Sequence, residues 1–298
     1  MKVEFSKEPE LHHPDLIAAW PGIGNIGLVA INSLRESVEA ELFAEVEPWN
    51  FFYPRGITIR SGVLTEMEFP TSRFYFKRFD GKDVIFFEGE EQPSGSSRAY
   101  NMSSLVLDVA GRYGCERIYT AAAAVAPIHH TMRPRIWGVP NSRKLVAEVG
   151  QYPNTILMSS IAERGGDGNI TGLNGLLLGL SRERGVDGVC LLGEVPVYIS
   201  QFPTLYPKSS KSIVEVLANK LGIDPDMSRL DNMIREVDEN IERLYEMIPP
   251  EMRERIEQLK YTSYAKAEED ESEVITEDDQ KRIMQEIDQF FKKGNKED

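Results

Sequence analysis

Three glycines between positions 22 and 27 have the spacing that most directly suggests ligand chemistry in this chain. Gly22, Gly24 and Gly27 follow the pattern G-x-G-x-x-G, with Asn25 between the last two. They come after the apolar run 16–20, which predicts a buried strand, and before a helical pattern. A glycine-rich turn from a strand into a helix can leave backbone amides open to a phosphate group. Gly22, Gly24, Asn25 and Gly27 are therefore candidate ligand-binding residues.

The same loop also has a purely structural explanation. Glycine adopts a positive φ at little cost, so Gly22 and Gly24 can serve only to turn the chain. Gly27 can let the following helix pack closely on the sheet. Pro21 removes one amide donor at the mouth of the loop. We favour the structural role, and the phosphate site stays open as the alternative.

Carboxylates that follow predicted strands form the second group of candidates. In open α/β sheets, ligands bind beyond the carboxyl ends of the strands. Four segments should converge there, namely 22–27, 88–94, 127–133 and 163–171. They contribute the candidate ligand-binding residues Glu88, Glu163 and Asp167. Carboxylates in such a crevice can act as general acids or bases and can bind hydroxyl groups, but these residue types are common in loops, so we assign no catalytic residue.

Two neighbouring histidines, His129 and His130, can serve as metal ligands or as a general base. Adjacent histidines usually point in different directions, and no H-x-x-x-H spacing supports a metal. The chain also lacks the G-x-S-x-G pattern of a nucleophilic serine and the Walker A pattern of a nucleoside triphosphate site. We therefore predict no metal and no cofactor.

The elements that must position these residues alternate between strand and helix patterns. This alternation is typical of an α/β fold with a mostly parallel sheet. Strands are predicted at 16–20, 41–46, 83–87, 117–124, 135–139, 155–161 and 186–192. Helices are predicted at 28–38, 97–113, 141–149, 173–184 and 209–221. An aromatic and β-branched stretch at 49–79, broken by turn signals, predicts a β-meander along one edge of the sheet.

Beyond Asp224 the pattern becomes helical alone. Apolar residues follow one another at steps of four and three, which is a heptad seam; they are Leu230, Ile234, Val237, Ile241, Leu244 and Ile248. Pro249 and Pro250 turn the chain into a return helix, so 224–260 is predicted to form a helical hairpin. The seam residues that we expect to pack against another helix, within the chain or in a second copy, are Ile234, Val237, Ile241 and Leu244.

The end of the chain is predicted to carry a separate amphipathic helix. An acidic linker at 261–275 precedes a helical pattern at 276–294, which can be capped by Thr276 and ended by Gly294. One face of that helix is apolar; its residues are Ile283, Met284, Ile287, Phe290 and Phe291. This stripe needs a surface to cover it. We favour the α/β domain predicted at 1–223 or a neighbouring copy, with a foreign partner as the alternative.

Composition and charge narrow the classes of partner. Of the net charge of −14, residues 224–298 carry −11, from 23 acidic against 12 basic side chains, which leaves −3 for the rest. Nucleic-acid binding needs a basic face, so we predict no nucleic-acid partner.

No apolar run reaches a membrane-spanning length, and the first residues lack a signal-peptide pattern. Two cysteines without metal or disulfide spacing, Cys115 and Cys190, fit a reducing cytoplasm.

Three motif blocks occur in one order along the chain. They span 20–27 (WPGIGNIG), 168–178 (GNITGLNGLLL) and 189–196 (VCLLGEVP). In this they resemble the PAC2 family of proteasome-assembly-chaperone-like proteins, over roughly residues 14–230. The resemblance implies a three-layer α/β/α sandwich similar to nucleoside phosphorylases and hydrolases. It also implies, for some members, a chaperone that acts on the proteasome α-ring.

The resemblance has one departure at the end of the chain. Some chaperone members of the family engage the α-ring through a C-terminal hydrophobic-Tyr-X motif, whereas this chain ends in Lys296-Glu297-Asp298. We therefore expect a non-catalytic, homo-oligomeric interaction protein whose contact with proteasome α-subunits would use the terminal stripe or the α/β body. The alternative is an enzyme or binder of a nucleoside-like or phosphorylated ligand at the crevice beyond the strands.

Overall fold

A mixed nine-stranded sheet forms the centre of the computed structural model, which describes residues 2–161 and 167–261. A separate two-stranded hairpin stands beside it. The strands are β1 (Val3–Phe5), β2 (Asp15–Ala19), β3 (Glu41–Val46), β4 (Gly56–Arg60), β5 (Val63–Glu68), β6 (Ser72–Lys77), β7 (Val84–Gly89), β8 (Arg117–Ala126), β9 (Ile136–Pro140), β10 (Thr155–Leu157) and β11 (Asp187–Pro196). The α/β fold expected from the alternating pattern is therefore confirmed.

The α-helices of the described residues connect these strands and then form a pair after them. They are α1 (Ile26–Ser37), α2 (Ser96–Arg112), α3 (Val146–Val149), α4 (Gly172–Glu183), α5 (Pro207–Leu221), α6 (Ser228–Met247) and α7 (Pro250–Gln258). None of the helices in these ranges is long and apolar enough to cross a membrane.

The sheet mixes parallel and antiparallel pairs. Its order is β1-β3-β6-β7-β2-β8-β11-β9-β10. The pairs within β7-β2-β8-β11 are parallel, and so is the edge pair β9-β10. The pairs within β1-β3-β6-β7 are antiparallel, and so is β11-β9. The prediction of a mostly parallel sheet thus holds for the centre and for the β9-β10 edge but fails for the strands from β1 to β7 and at β11-β9. A parallel neighbour needs a crossover of a dozen or more residues, and the short link from β6 to β7 does not provide one.

Helices cover both faces of the sheet, and the alternation of β2 shows how. Ile17 and Ala19 point into a core that includes α1 and α5. Leu16 and Ala18 point to the opposite side, into a core that includes α2 and α4. Because successive strand residues face opposite sides, a strand buried on both faces reads as an uninterrupted apolar run. This is why the run at 16–20 predicts a central strand.

Two predicted elements are shorter in the structure. The helix expected at 141–149 is a 3-10 turn, Arg143–Leu145, followed by the single-turn α3. The strand expected at 155–161 ends at Leu157, and another 3-10 turn follows it.

The stretch 49–79 does not form the single meander that the sequence predicts. Only β6 joins the main sheet, while β4 and β5 pair with each other.

The α6–α7 pair lies on the α5 side of the molecule. Leu230 and Ile241 of α6 and Ile256 of α7 are buried in the same core as α1 and α5. Ile248, between the two helices, is buried there too. Much of the heptad seam therefore packs against the core of its own chain. The predicted linker at 261–275 and the terminal helix at 276–294 lie outside the described residues, apart from Tyr261.

Candidate functional site

The glycine loop makes a tight turn from β2 into α1. Gly22 is extended, with φ −162°, so any residue can adopt its backbone. Gly24 and Asn25 then take positive φ values of 60° and 48°, in the left-handed region. The loop closes on itself, since Asn25 N donates to Gly22 O over 2.9 Å. Tyr206 N donates to Gly24 O over 3.0 Å and fixes the turn against the start of α5.

The last two glycines of the loop are needed for close packing. A Cβ atom at Gly27 would lie 2.1 Å from Ala121 O of β8. A Cβ at Gly24 would lie 3.1 Å from Tyr206 Cβ, whereas one at Gly22 would have nothing within 4 Å. The structural explanation of the motif therefore accounts for Gly24 and Gly27. Gly22 has no such role.

Side chains of the second motif block hold the first block in place. Asn174 Oδ1 accepts from Trp20 N over 3.2 Å. Gln92 bridges the two blocks, because its Nε2 donates to Pro21 O over 2.6 Å and its Oε1 accepts from Leu173 N over 3.0 Å. The amides of Gln92 and Asn174 are thus already committed to the protein backbone. The motif residues join three segments of the fold at this edge of the sheet.

A cavity of about 340 Å³ opens next to this junction, and we call it the central cavity. It lies beyond the carboxyl ends of the strands, where the sequence predicts a ligand. Its described lining residues are Pro21, Gly22, Ile23, Gln92, Ala122, Ala123, Ala124, Val125, Trp137, Met158, Asn169, Ile170, Thr171, Gly172, Asn174 and Leu192. No charged side chain occurs among these described residues. The described lining therefore offers none of the convergent carboxylates that an enzyme of the nucleoside class would use, and the enzyme alternative is not supported.

Glu88 lies on the opposite face of the sheet from the central cavity. Its Oε1 accepts from Arg35 Nε over 2.8 Å, and its Oε2 accepts from Asn32 Nδ2 over 3.4 Å. Both partners belong to α1, so Glu88 fastens that helix to β7. Glu88 also lines a second cavity, of about 350 Å³, together with Asn25 and Arg229. The expected convergence of Glu88 with Gly22 in one crevice is therefore wrong, because the sheet separates them.

Asp167, another of the predicted ligand-binding carboxylates, is exposed and is not among the residues that line the central cavity. Glu163 lies outside the described residues. Of the described members of the predicted set, only Gly22 lines the central cavity, while Asn25 and Glu88 share the second one.

The two histidines are buried and serve as a docking surface for α6 and α7. Their rings lie 4.1 Å apart, centroid to centroid. His130 Nδ1 is 2.7 Å from Tyr198 Oη, and its Nε2 is 3.0 Å from Glu242 Oε1 of α6. His129 Nε2 is 3.5 Å from Glu257 Oε1 of α7. No set of three metal-ligating side chains occurs in the described part of the chain.

Burial controls the charge of this histidine pair. It lowers the pKa of His129 to about 4, with a smaller contribution from the neighbouring His130. It also lowers the pKa of His130, although the carboxylate of Glu242 acts in the opposite direction. Both rings are therefore neutral at pH 7. Each ring lies beside a carboxylate, His130 beside Glu242 of α6 and His129 beside Glu257 of α7. Sequence patterns offered no sign of these partners, because they lie more than a hundred residues away.

Glu194 is a buried charged residue that the sequence analysis did not select. It is 1 % exposed and accepts hydrogen bonds from Trp137 Nε1 over 2.7 Å and from Arg135 N over 2.9 Å. These bonds connect β11 to β9. Glu194 is the only charged residue in the apolar third block, 189–196. That position in the sequence could have predicted a buried glutamate that is held by hydrogen bonds within the protein.

Comparisons with known proteins agree with this architecture. A model of the PAC2 family matches residues 16–245. An uncharacterized protein of Methanocaldococcus jannaschii, MJ1210, is 24% identical over 230 residues, which are 77% of this chain and 82% of that protein.

Two solved structures from Pyrococcus furiosus share the fold. PbaB, an archaeal proteasome activator, has a TM-score of 0.69 and 24% identity, over 82% of this chain and 98% of that one. PbaA, an archaeal homolog of proteasome-assembly chaperone, has a TM-score of 0.62 and 23% identity, over 86% and 96% of the two chains. At these identities the structural likeness establishes the fold alone.

Proposed function

Because the chain belongs to the PAC2 family, we propose that it is a non-catalytic protein-binding factor that assists proteasome assembly or activation by contacting α-subunits. The observation that supports this most is the central cavity. Its described lining residues carry no charge, and the amide of Gln92 is hydrogen-bonded to the backbone on both sides, so these residues offer little chemistry. The names of PbaA and PbaB point to the proteasome for relatives with this fold.

The proposal assigns scaffold and contact roles to different parts of the chain. The three motif blocks build the scaffold, for which we retain the likeness to nucleoside phosphorylases as a prediction. Ile234 and Leu244 remain half-buried on α6 and are available for a helix of a partner. Ile241 is buried in its own core and is not. The terminal stripe Ile283, Ile287, Phe290 and Phe291 is the second proposed contact surface.

The proposed protein works as a homo-oligomer in the cytoplasm. Cys115 and Cys190 are free thiols, which suits a reducing compartment. In this proposal, contact with an α-subunit uses the terminal stripe or the α/β body.

Capture of purified subunits tests the function directly. The full chain, immobilised through an N-terminal tag, should retain proteasome α-subunits from an archaeal source and not β-subunits, which serve as the matched control. In parallel, adenosine, guanosine and inorganic phosphate are added during thermal unfolding. The proposal predicts no change of melting temperature with any of them. Failure to retain α-subunits, together with a rise in melting temperature with a nucleoside, would show that the protein is a ligand binder instead.

A further inference from the structure

The second cavity lies between α1, the start of β6, the end of β7 and the start of α6. Its volume is about 350 Å³, which is at the lower end of the range for small-molecule sites. No described residue lines both this cavity and the central one. The two linings also differ in kind, because the described lining of the second cavity carries charged side chains of both signs. The second cavity is therefore the better candidate for binding a small polar molecule.

A buried hydroxyl group without a partner lies on the wall of this cavity. Ser33, in the middle of α1, lines the cavity and is only 7% exposed. Its Oγ forms no hydrogen bond within the described part of the chain. Burial of an unpartnered hydroxyl costs free energy, so a bound group that hydrogen-bonds to Ser33 Oγ recovers that cost. The protein thus leaves one polar point of the cavity wall for a ligand.

Arginines from three different elements line the same cavity, and they are Arg35 of α1, Arg73 of β6 and Arg229 of α6. Arg35 Nε donates to Glu88 Oε1 over 2.8 Å, and Arg73 Nε donates to Glu45 Oε2 over 3.1 Å. A guanidinium group has five N–H donors in a planar fork that matches a carboxylate, so these pairs leave donors over. Together with the Ser33 hydroxyl, the arginines supply a donor set for a carboxylate group.

A carboxylate of the lining can receive a positive group. Glu90, just beyond the end of β7, lines the cavity and is exposed. Its Oε2 accepts from Thr71 N over 3.1 Å and lies 3.0 Å from a terminal nitrogen of Arg55. A carboxylate has about four acceptor positions, so Glu90 can accept an ammonium group in addition to these partners.

Apolar side chains form another part of the lining. Leu28 and Val29 of α1 and Met233 of α6 are half-buried and border the cavity. The Tyr75 ring also borders it and lies under the Arg35 guanidinium, at 4.4 Å from the ring centroid. A ligand that fills this space therefore needs an apolar portion as well as polar groups, which favours an amphipathic small molecule over a sugar.

The charges around the cavity balance. Four arginines and four glutamates of the described chain line it or pair with a lining residue, and they are Arg35, Arg55, Arg73, Arg229, Glu36, Glu45, Glu88 and Glu90. A ligand with a large net charge would find no surplus of opposite charge here, and an uncompensated buried charge is costly. A zwitterion, with one positive and one negative group, keeps the balance.

We propose that the second cavity binds a free α-amino acid with an apolar side chain. The arginines and the Ser33 hydroxyl hold its carboxylate, Glu90 receives its ammonium group, and its side chain packs on Leu28, Val29 and Met233. Since α6 supplies part of this lining, the bound amino acid also contacts the start of α6. The inference goes beyond the proposed function and does not depend on contact with α-subunits.

Titration of the full chain with L-leucine tests the proposal, by calorimetry and by protection against thermal unfolding. Three analogues each lack one of the groups that the cavity is proposed to recognise. Isocaproate lacks the ammonium group, isoamylamine lacks the carboxylate, and glycine lacks the apolar side chain. Each should bind about tenfold more weakly than L-leucine or worse.

Removal of the unpartnered hydroxyl connects binding to this cavity. Ser33→Ala should raise the dissociation constant for L-leucine about tenfold, because the carboxylate loses a donor. It should not lower the melting temperature of the ligand-free protein, because Ser33 Oγ has no partner to lose. The matched control is Ser103 of α2, which is also buried with an unpartnered Oγ but belongs to the opposite side of the sheet. Ser103→Ala should leave the dissociation constant unchanged.

An exchange at the surface gives a second, milder variant. Arg73→Gln should also weaken L-leucine binding about tenfold, because its partly exposed guanidinium is one of the proposed donors. Arg243→Gln alters an exposed ion pair with Glu239 on α6, away from the cavity lining, and should bind L-leucine as the parent chain does.

Several outcomes would overturn the proposal. If neither L-leucine nor L-methionine gives heat or thermal protection at millimolar concentrations, the cavity is no amino-acid site. If isocaproate binds as tightly as L-leucine, the cavity takes a simple carboxylate, and if ribose binds while L-leucine does not, it takes a polyol. If L-leucine binds equally well to Ser33→Ala, Arg73→Gln and the parent chain, it occupies another site. Retention of α-subunits is measured separately, so its failure would not be confused with any of these results.

Discussion

The three glycines of the loop share one motif but have different surroundings. Gly27 contacts the β8 backbone so closely that no side chain fits. Gly24 has a positive φ, and a Cβ atom there would lie 3.1 Å from Tyr206 Cβ, which is a tight contact. Gly22 has neither constraint. In a phosphate-binding loop, glycine would be needed most at the open mouth, where the ligand approaches the backbone. Here the need for glycine is weakest at Gly22, at the mouth, and strongest at Gly27, in the helix.

An alanine series through the loop should reproduce this order. Gly22→Ala should change the free energy of unfolding by no more than about 0.5 kcal/mol. Gly24→Ala should lower it by about 1–2 kcal/mol, because alanine is strained at positive φ. Gly27→Ala should lower it by about 3 kcal/mol or prevent folding, because backbone atoms of β8 must move. Urea unfolding followed by circular dichroism measures all three.

A control in α4 separates local packing from a general effect of glycine replacement. A Cβ at Gly179 would have nothing within 4 Å, so Gly179→Ala should stabilise the protein by up to about 1 kcal/mol through helix propensity. If Gly22→Ala proved the most damaging of the loop variants, the structural explanation of the motif would be wrong.

The histidine pair makes stability depend on pH. The pKa of His129 is about 4 in the folded protein, below its usual value of 6.5. Between those values the unfolded chain binds more protons than the folded one, so acidification favours unfolding. We expect the free energy of unfolding to fall by up to about 3 kcal/mol between pH 7 and pH 4 from this group. His130 shifts in the same direction and adds to the loss.

Substitution of single histidines checks the origin of that loss. His129→Gln does not titrate, so its unfolding free energy should depend less steeply on pH in this range. The groups that face the pair are Tyr198, Lys208, Asp238, Glu242, Tyr245, Glu257 and Lys260. Equal slopes in the variant and the parent chain would mean that other groups cause the loss.

Among the elements, α6 shows what a sequence pattern can and cannot predict. The heptad spacing correctly predicts a helix and its apolar side. It leaves open whether that side meets its own chain or another copy. Leu230 and Ile241 pack into the chain's own core, and the partners of α6 include the histidines and Tyr198 of distant segments. Those contacts depend on tertiary placement, which spacing within a helix does not encode.

Placing a charge on the buried side of α6 should detach it. Ile241→Asp would bury an unpaired carboxylate, which costs several kcal/mol, so we expect loss of helix signal and of the contact with His130. Asn240→Asp, at the adjacent exposed position, should leave circular dichroism and melting temperature unchanged. An Ile241→Asp variant with the same helix content and stability as the parent chain would contradict the observed burial.

The predicted strands at 16–20 and 41–46 agree with β2 and β3 to within one residue. β2 is buried throughout, whereas β3 begins with two exposed residues, so full burial is not a condition for a correct prediction. Strands β4 and β5 were misassigned to an edge meander, because alternating aromatic and β-branched residues do not distinguish a strand of the main sheet from a separate hairpin. The expected site failed for a related reason. Glu88 lies near the end of β7, and Gly22 follows the adjacent β2. The Glu88 side chain points to α1, whereas Gly22 lines the central cavity on the other face of the sheet.

For the whole molecule, the body should be independent of the last residues. The core of the described chain already includes Leu259, which is fully buried, and deletion of 276–298 begins well beyond it. We expect the deletion to leave the melting temperature of the body nearly unchanged while retention of α-subunits is lost. The reason is that the apolar stripe, worth about 1.5–3 kcal/mol per buried side chain, is proposed to act on a partner.

The matched control for the deletion keeps the segment and removes its apolar side. Ile287→Ser/Phe290→Ser in the full chain should lose α-subunits to the same extent as the deletion. A large fall in melting temperature on deletion would instead show that the segment packs on its own body. Unchanged retention in both proteins would remove the terminal stripe from the proposed function.

The three tryptophans divide the molecule into regions that can be observed separately by fluorescence. Trp20 is buried beside the glycine loop, and Trp137 is buried against the carboxylate of Glu194. Trp49, close to the β4–β5 hairpin, is exposed to water. Indole emission shifts to shorter wavelength when water is excluded. A blue shift on concentrating the folded protein would therefore report on Trp49 and association, and a red shift in denaturant would report on the other two and the core. Trp49→Phe would silence the first signal and preserve the second, so one spectrometer can follow assembly and unfolding in the same sample.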